Sequence, residues 1–576
     1  MFSTKKQIIL TIASLLITVF AFAQEREGDT IQTGVIDVVK PYTPSISDAF
    51  KVKETPTLDD TETATKKEVK YNIFSFPVAS TFTPAKGKAA VVDKAKKVKL
   101  YDNYATLGVG TYTTIVGEAY LNHAIGRDQI FSAYVGHHSS QGDIENVLTD
   151  NGFSDSKLNL TYTKKDRDYS WTALGGFQYQ TYNWYGLQQP LFNQATADSL
   201  DVGHSFINGY VGGDITFEDA IVSSGSILYR RFGDNFGSGE NRFKANAIGT
   251  INIQDNDVDI EVFTDYVGGS FEKAYADPNQ INYGNFQIGL APTFQLKQDD
   301  LTVDLGVKAV YLNDTEASKS KFFIYPNIAA SYRLVDEVLI AFGGVTGGLN
   351  QNSYYDFAQE NPFVSPNLFI APTDQQYKAF AGIKGKLSNT MSYSVSGNYY
   401  SEKNKALYTN NDITTNLEPY TYGNSFGLVY DDVTTFSVAG ELNVDINRNF
   451  TLGIKGEYFS YDVTNQMEAW NLPDLTASVF LDYQITDQWF AGANLFYVGE
   501  RKDQFNIPNL ISPNSGIVTL DSYFDANAHV GYHINDRFSV FAKANNIVGE
   551  EYTKWQNTPV QGIQFLAGAT YKFDFQ

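Results

Sequence analysis

The stretch Ile563 to Gln576, IQFLAGATYKFDFQ, alternates apolar and polar residues almost without interruption. Ile563, Phe565, Ala567, Ala569, Tyr571, Phe573 and Phe575 fall on one parity. Gln564, Gly568, Thr570, Lys572, Asp574 and Gln576 fall on the other, with Leu566 the exception. Successive side chains of a β-strand point to opposite faces, so this segment is greasy on one side and polar on the other. A soluble sandwich holds such strands as well. Ending a chain on alternating aromatics, behind an export signal, points instead to the closing strand of an outer-membrane barrel, whose wall meets lipid outside and a polar lumen inside.

From about Leu100 the pattern repeats as two alternating segments joined by a very short polar turn, followed by a longer loop. The short turns are Gly126-Arg127-Asp128, Lys165 to Asp168, Glu218-Asp219, Asp255-Asn256-Asp257, Gln298-Asp299-Asp300, Asp336-Glu337, Ser388-Asn389-Thr390, Asn447-Arg448-Asn449, Thr486-Asp487-Gln488 and Asn535-Asp536-Arg537. Asp, Asn and Gly dominate because they tolerate tight-turn geometry or bond their own backbone. The stretches between hairpins are long and uneven: 183–203, 350–376, 403–432 and 500–519. Short turns at one end and long loops at the other are the asymmetry of an outer-membrane barrel, turns periplasmic and loops outside. Adding a first strand near 104–112 and the last one predicts an all-β, antiparallel up-and-down transmembrane barrel of about 22 strands, an even number. The first connection is the tightest, with Thr113-Thr114 turning almost without a loop.

Composition agrees. Tyr (38), Phe (41) and Gly (46) are abundant, as pleated half-buried surfaces and turns require. Cysteine is absent, which removes disulfides, thiolate nucleophiles and Cys-based metal sites together. A formal charge of −22 opposes a nucleic-acid partner, since phosphate binding needs clustered Lys and Arg. Beyond the N-terminus no apolar run of about 18 residues exists, so no transmembrane helix is predicted.

The N-terminus sets the compartment. Lys5 and Lys6 precede an apolar run from Ile8 to Phe20, and Ala21-Phe22-Ala23 offers a small-x-small cleavage site before Gln24. We read residues 1–23 as a signal peptide, 24–99 as a largely irregular periplasmic tail and 100–576 as the barrel. Lys51 to Lys70 has a linker composition. The island Val35-Ile36-Asp37-Val38-Val39 is a candidate for strand addition to a periplasmic energy-coupling protein, or a tail segment packing in the barrel mouth.

Residues 100–576 resemble the barrel portion of TonB-dependent outer-membrane receptors. The resemblance is most specific over Phe538 to Tyr552 and Gly562 to Phe573, with Asn545, Asn546, Ile547, Gly549 and Tyr552 matching the family's Asn-rich penultimate stretch. It implies a C-terminal signal read by the outer-membrane barrel-assembly machinery, matched by Phe565, Tyr571, Phe573 and Phe575, although Gln576 follows the last aromatic. It also implies a folded plug of well over a hundred residues ahead of the barrel. Only a polar tail precedes the first strand, so the expectation is a plugless relative, its lumen filled or capped by the tail, inward-folded loops or a partner.

Loop aromatics cluster at Tyr182, Trp184 and Tyr185, at Tyr354, Tyr355 and Phe357, and at Tyr408, Tyr420 and Tyr422. Trp184, Tyr185, Tyr354, Tyr355, Tyr420 and Tyr422 are candidate surface contacts for sugars or a surface lipoprotein, against the plainer reading of girdle and loop packing. His529 and His533 share a strand face but stand about 13 Å apart, and His137 and His138 point apart, so no metal site is supported. Asp255-x-Asp257-x-Asp259 lacks the Gly and Glu of a calcium loop, with Ile260 and Tyr266 in those places. Asp257, Asp259 and Glu261 read better as lumen-facing. Gly108-x-Gly110 means close strand packing rather than dinucleotide binding. His204 and Ser205 are adjacent on a strand and cannot cooperate, so no enzyme and no cofactor are predicted. Three roles are expected, in order: transport of a solute across the outer membrane, gated by tail or partner; a structural subunit of an envelope assembly, secretion or nutrient-capture complex; and an open channel.

Overall fold

Pairing each alternating segment with its neighbour in sequence brings the chain back onto itself. The computed structural model describes residues 99–575, apart from 190, 254, 255, 276, 415–417, 448 and 508–513. Its main sheet has 22 antiparallel strands. The first, Asn103–Gly110, pairs with the last, Gln564–Phe573, from Asn103 opposite Phe573 to Gly110 opposite Leu566. The ring therefore has no free edge, and every wall strand finds its backbone partners in its neighbours. The short polar turns read from the sequence lie where consecutive strands meet, although Lys165, Asn256, Asp257, Gln298, Ser388 and Asn447 are already strand. The tight first connection is a Thr111–Thr114 turn, closed by Thr114 N–H donating to Thr111 O at 3.0 Å, with Tyr112 (φ 56°) and Thr113 (φ 50°) both left-handed. That is the twist-compatible geometry for a two-residue hairpin.

The alternation sorts cleanly onto two faces. Leu107, Val109, Ile207, Val211, Ile227, Tyr229, Ile288, Leu290, Phe322 and Ile324 are exposed on the outside of the wall. Inside, Thr106 and Thr570 hydrogen-bond at 2.9 Å, and a ladder links Thr250 to Asp259 (2.6 Å) and Asn252 to Asp257 (2.9 Å). Phe565, Tyr571 and Phe575 are exposed, and Phe573 stacks on Tyr571 with centroids 5.8 Å apart.

Closure depends on backbone proximity at the seam. A Cβ at Gly110 would overlap Phe565 O and sit 3.2 Å from Leu566 Cα, and one at Gly108 would sit 2.9 Å from the Leu566 side chain. Gly110→Val should therefore impair closure, because the obstacle is backbone that cannot rotate away. The folded, fast-migrating band of unheated protein in detergent electrophoresis should shrink; a band as strong as that of the wild type would refute the steric argument.

The wall is uneven in height. The first strand has 8 residues, whereas Thr373–Ser388, Met391–Asn410 and Phe426–Asn447 have 16, 20 and 22. Residues expected in a 403–432 loop are thus largely strand, and the true connection is 411–425. From Lys405 to Asn410 every residue is buried, on both faces of the hairpin. With both faces covered, the two-residue alternation disappears, and the segment no longer reads as strand.

Candidate functional site: the outer mouth

The largest fully buried side chains all lie at the long-loop end. Trp184, Tyr354, Leu368, Tyr420 and Trp470 come from connections, and Phe206, Phe232, Phe271, Leu407 and Phe426 from the strand ends they meet. The connection between Leu339–Asn350 and Thr373–Ser388 folds across the opening. Its Tyr354, Phe357, Ala358, Val364, Leu368 and Ile370 share one core with Phe206, Phe232, Val267, Phe271 and Tyr283 on one arc of the wall. The same core includes Ala406, Tyr408 and Phe426 on a non-adjacent arc, and Trp555 from the last connection. Burying one such side chain is worth roughly 1.5–3 kcal/mol, so this many favours docking over projection into solvent.

A short helix, Tyr354–Glu360, forms the middle of this loop. Ser353 caps it, its Oγ accepting from Asp356 N–H at 3.1 Å, and Asp356 in the first turn suits the helix dipole. Asn361 and then Pro362 end it. Buried charges tie the helix to the strand Gly239–Ile253. Glu240, 1% exposed, accepts from Tyr354 N–H (2.6 Å), Tyr355 N–H (3.3 Å) and Tyr283 Oη (2.8 Å). Arg242 forks onto Asp265, Nε to Oδ1 at 3.0 Å and Nη2 to Oδ2 at 2.7 Å. Its Nη1 donates to Asp356 Oδ2 at 2.7 Å and its Nη2 to Gln351 O at 3.1 Å. Tyr354 Oη donates to Asp234 at 2.7 Å.

The far side is held by backbone. Phe426 N–H donates to Phe363 O (3.0 Å), Ser365 N–H to Phe426 O (2.9 Å), and Val364 bridges Phe426 in parallel. Side chains add to this from both arcs: His204, beside Phe206, donates from Nε2 to Pro362 O at 2.7 Å, and Tyr430 on the far arc donates from Oη to Phe369 O at 2.7 Å. At the base, Asn352 Nδ2 donates to Ala371 O at 2.8 Å, bringing the two feet of the loop together. A second layer covers this: Trp184 stacks on His204 with centroids 4.0 Å apart, and Tyr420 meets Trp184 edge-on at 5.3 Å.

The rings assigned to surface contact are therefore committed elsewhere. Trp184, Tyr354 and Tyr420 are buried because opposing loops meet over the opening. Tyr185, Tyr355 and Tyr422 are half-buried, on Phe363, Phe232 and Phe192 respectively. Sequence reading did not single out Glu240, Arg242 or Asp265. Their only signal was charge on the lumen-facing parity of two neighbouring strands. Ala21, Ala23, Gln24 and Val35 to Val39 lie outside the described residues. Among the described residues no cluster of His, Asp and Glu could hold a metal ion.

Titration should act on the mouth. Burial pushes the Glu360 carboxyl from 4.5 up to about 7, partly offset by Tyr408 and the Lys554 ammonium. A raised carboxyl favours the docked state while protonated. Its contribution is full below about 4.5 and is lost as pH rises through about 7. Burial likewise pulls Lys554 from 10.5 down to about 8, so its penalty eases only as pH climbs through about 8 towards 10.5. Protease nicking of the 351–372 loop should therefore be slowest near pH 5 and fastest near pH 7.5. Glu360→Gln should flatten the acid limb, and a limb unchanged in that variant would refute the assignment.

The fold has well-defined relatives. A family model described as TonB dependent receptor-like, β-barrel, matches residues 97–547. No curated protein sequence matches this chain. Among solved structures, the ferripyoverdine receptor of the outer membrane of Pseudomonas aeruginosa superposes with a TM-score of 0.61 at 13% identity, over 82% of this chain and 72% of that one. The ferric-catecholate import receptor Fiu from E. coli K12 gives 0.59 at 10% identity, over 82% of each chain. The siderophore receptor PiuA from Acinetobacter baumannii gives 0.58 at 10%, over 83% and 82%. At such identities these likenesses speak to the fold, whereas the family match spans most of the sequence. The chain belongs to the TonB-dependent receptor-like β-barrels and resides in the Gram-negative outer membrane.

Proposed function

We propose that this protein is an outer-membrane transport barrel that passes a solute when the 351–372 loop leaves the mouth, with residues 24–99 exerting control from the periplasmic side. One observation carries the reading: the loop spans the opening on noncovalent contacts, the Arg242 and Glu240 hydrogen bonds among them. The exposed apolar band on the wall matches residence in lipid. Planar-bilayer conductance tests it. Because Asn352 already touches Ala371, replacing 354–370 by a short Gly-Ser linker leaves the feet in place. That variant should conduct strongly and steadily where the wild type conducts little. Deleting 24–99 should add to the current if the tail supplies the second barrier. Loop removal without any current would refute the gate.

A second reading, a structural subunit of an envelope complex that binds a surface lipoprotein or periplasmic partner, is favoured by the consumption of Trp184, Tyr354 and Tyr420 in packing. Rings that would grip a solute are spent on holding the mouth shut. Stoichiometric partners retained in gentle detergent would support it, and a barrel purifying alone would count against it.

A further inference from the structure

We propose that the lumen wall beside the folded-in helix is a binding site for a small multivalent oxyanion, held by Arg230 and Lys244, and that the bound anion competes with Asp356 for Arg242. The competition rests on the gate reading above; the site itself does not.

Arg230 lies on the strand Val222–Asp234, where Ile227 and Tyr229 are exposed outside and Phe232 is buried within the mouth core. Arg230 shares the parity of Phe232 and faces the lumen. In register it stands opposite Arg242, while Lys244 stands opposite Leu228 and so is diagonal to Arg230. Three cations thus occupy one patch of two adjacent strands, an arrangement that is unfavourable by itself.

The carboxyls nearby are already engaged. Glu240 accepts from Tyr283 Oη and from the N–H groups of Tyr354 and Tyr355. Asp265 is already forked by Arg242, and Lys244 Nζ reaches it only at 4.0 Å. Asp356, with its side chain half exposed, serves Arg242. Asp155 is paired with Lys157 at 3.3 Å. Among the described residues Arg230 has no carboxylate partner. Its guanidinium lies 3.8 Å over the Tyr355 ring, and its Nε is enclosed with no acceptor. An enclosed donor on a charged group is costly unless an acceptor arrives. A phosphate or polycarboxylate supplies acceptors in the geometry a guanidinium prefers, and can bridge the diagonal to Lys244.

Tyr355 and Asp356 are consecutive residues of the loop helix, and both engage this cation patch. An anion that draws Arg230 from Tyr355 and displaces Asp356 from Arg242 removes two of the helix's attachments together. Occupancy of the site would then loosen the loop.

Isothermal titration of the full-length protein in detergent, with citrate and inorganic phosphate against sodium chloride of matched ionic strength, tests the site. The wild type should show saturable binding. Arg230→Gln with Lys244→Gln should weaken it at least tenfold, and Arg230→Lys, which keeps the charge but loses the planar fork, should weaken it less than the double variant does. Heat-modifiable mobility confirms that each variant is folded. Equal affinity in wild type and double variant, or no saturable heat in the wild type, would overturn the proposal. If citrate binds while the 354–370 replacement stays silent in bilayers, the site stands and the gate falls; the converse removes the site alone.

Discussion

Arg242→Ala should unlock the outer mouth. The guanidinium is 6% exposed and supplies five contacts: two to Asp265 and one each to Asp356, Ser353 and Gln351 O. Truncating it strands Asp265, whose side chain is 14% exposed, without its bidentate partner. Breaking a buried pair from one side typically costs about 3–5 kcal/mol. Lys244 at 4.0 Å can move towards Asp265, which argues for the lower part of that range. Asp265 stands on the wall and loses that partner whether the mouth is open or shut, so only the bonds to Asp356, Ser353 and Gln351 O bias the loop. At about 1–3 kcal/mol for hydrogen bonds to charged groups and roughly 1.4 kcal/mol per factor of ten, the open population should rise on the order of tenfold. Bilayer recordings should show long-lived openings, and external protease should cut within 351–372 on intact cells. Glu240→Leu should give a smaller effect in the same direction, because it orphans the Tyr354 and Tyr355 N–H groups and the Tyr283 hydroxyl but no charge. A closed, protease-resistant Arg242→Ala protein would show that apolar packing alone shuts the mouth.

The barrel was legible because lipid and lumen impose one period on every wall strand. Thr106 and Leu107, or Asp257 and Val258, announce their faces by parity alone. The polar turns were equally plain, since tight reversal restricts residue type at each one. The mouth obeys no such repeat. Leu407 and Tyr408 are both buried, one against Trp470 and the other against Trp555, so parity says nothing about them. The residues joining there are also far apart in sequence: Trp184 with Tyr420, Arg242 with Asp356, His204 with Pro362. Aromatic clusters in loops were visible, but whether a ring faces outward or meets another loop depends on where opposite walls stand. That distance is a property of the closed ring, and no local window of the sequence contains it.

Locking the loop to the wall should abolish every opening described above. Val364 and Phe426 are partners in a parallel bridge, and such pairs stand about 5 Å apart at Cα, inside the roughly 4.4–6.8 Å that a disulfide spans. The natural chain has no cysteine, so Val364→Cys with Phe426→Cys introduces a single possible bond. Phe426→Cys also removes a ring packed on Trp555 at 5.5 Å. Large-to-small changes in a core cost about 3–5 kcal/mol, so the reduced protein should itself be leaky. Oxidation should silence that leak, and reductant should restore it within one recording. Combined with Arg242→Ala, the oxidised pair should still hold the barrel shut, because a covalent tie on the far wall outweighs the lost ion pair on the near one. Current that persists through the oxidised lock would place the conducting path elsewhere, between the lumen wall and the loop's near side or through the short first strand, and the 351–372 loop would then be a cover rather than a gate.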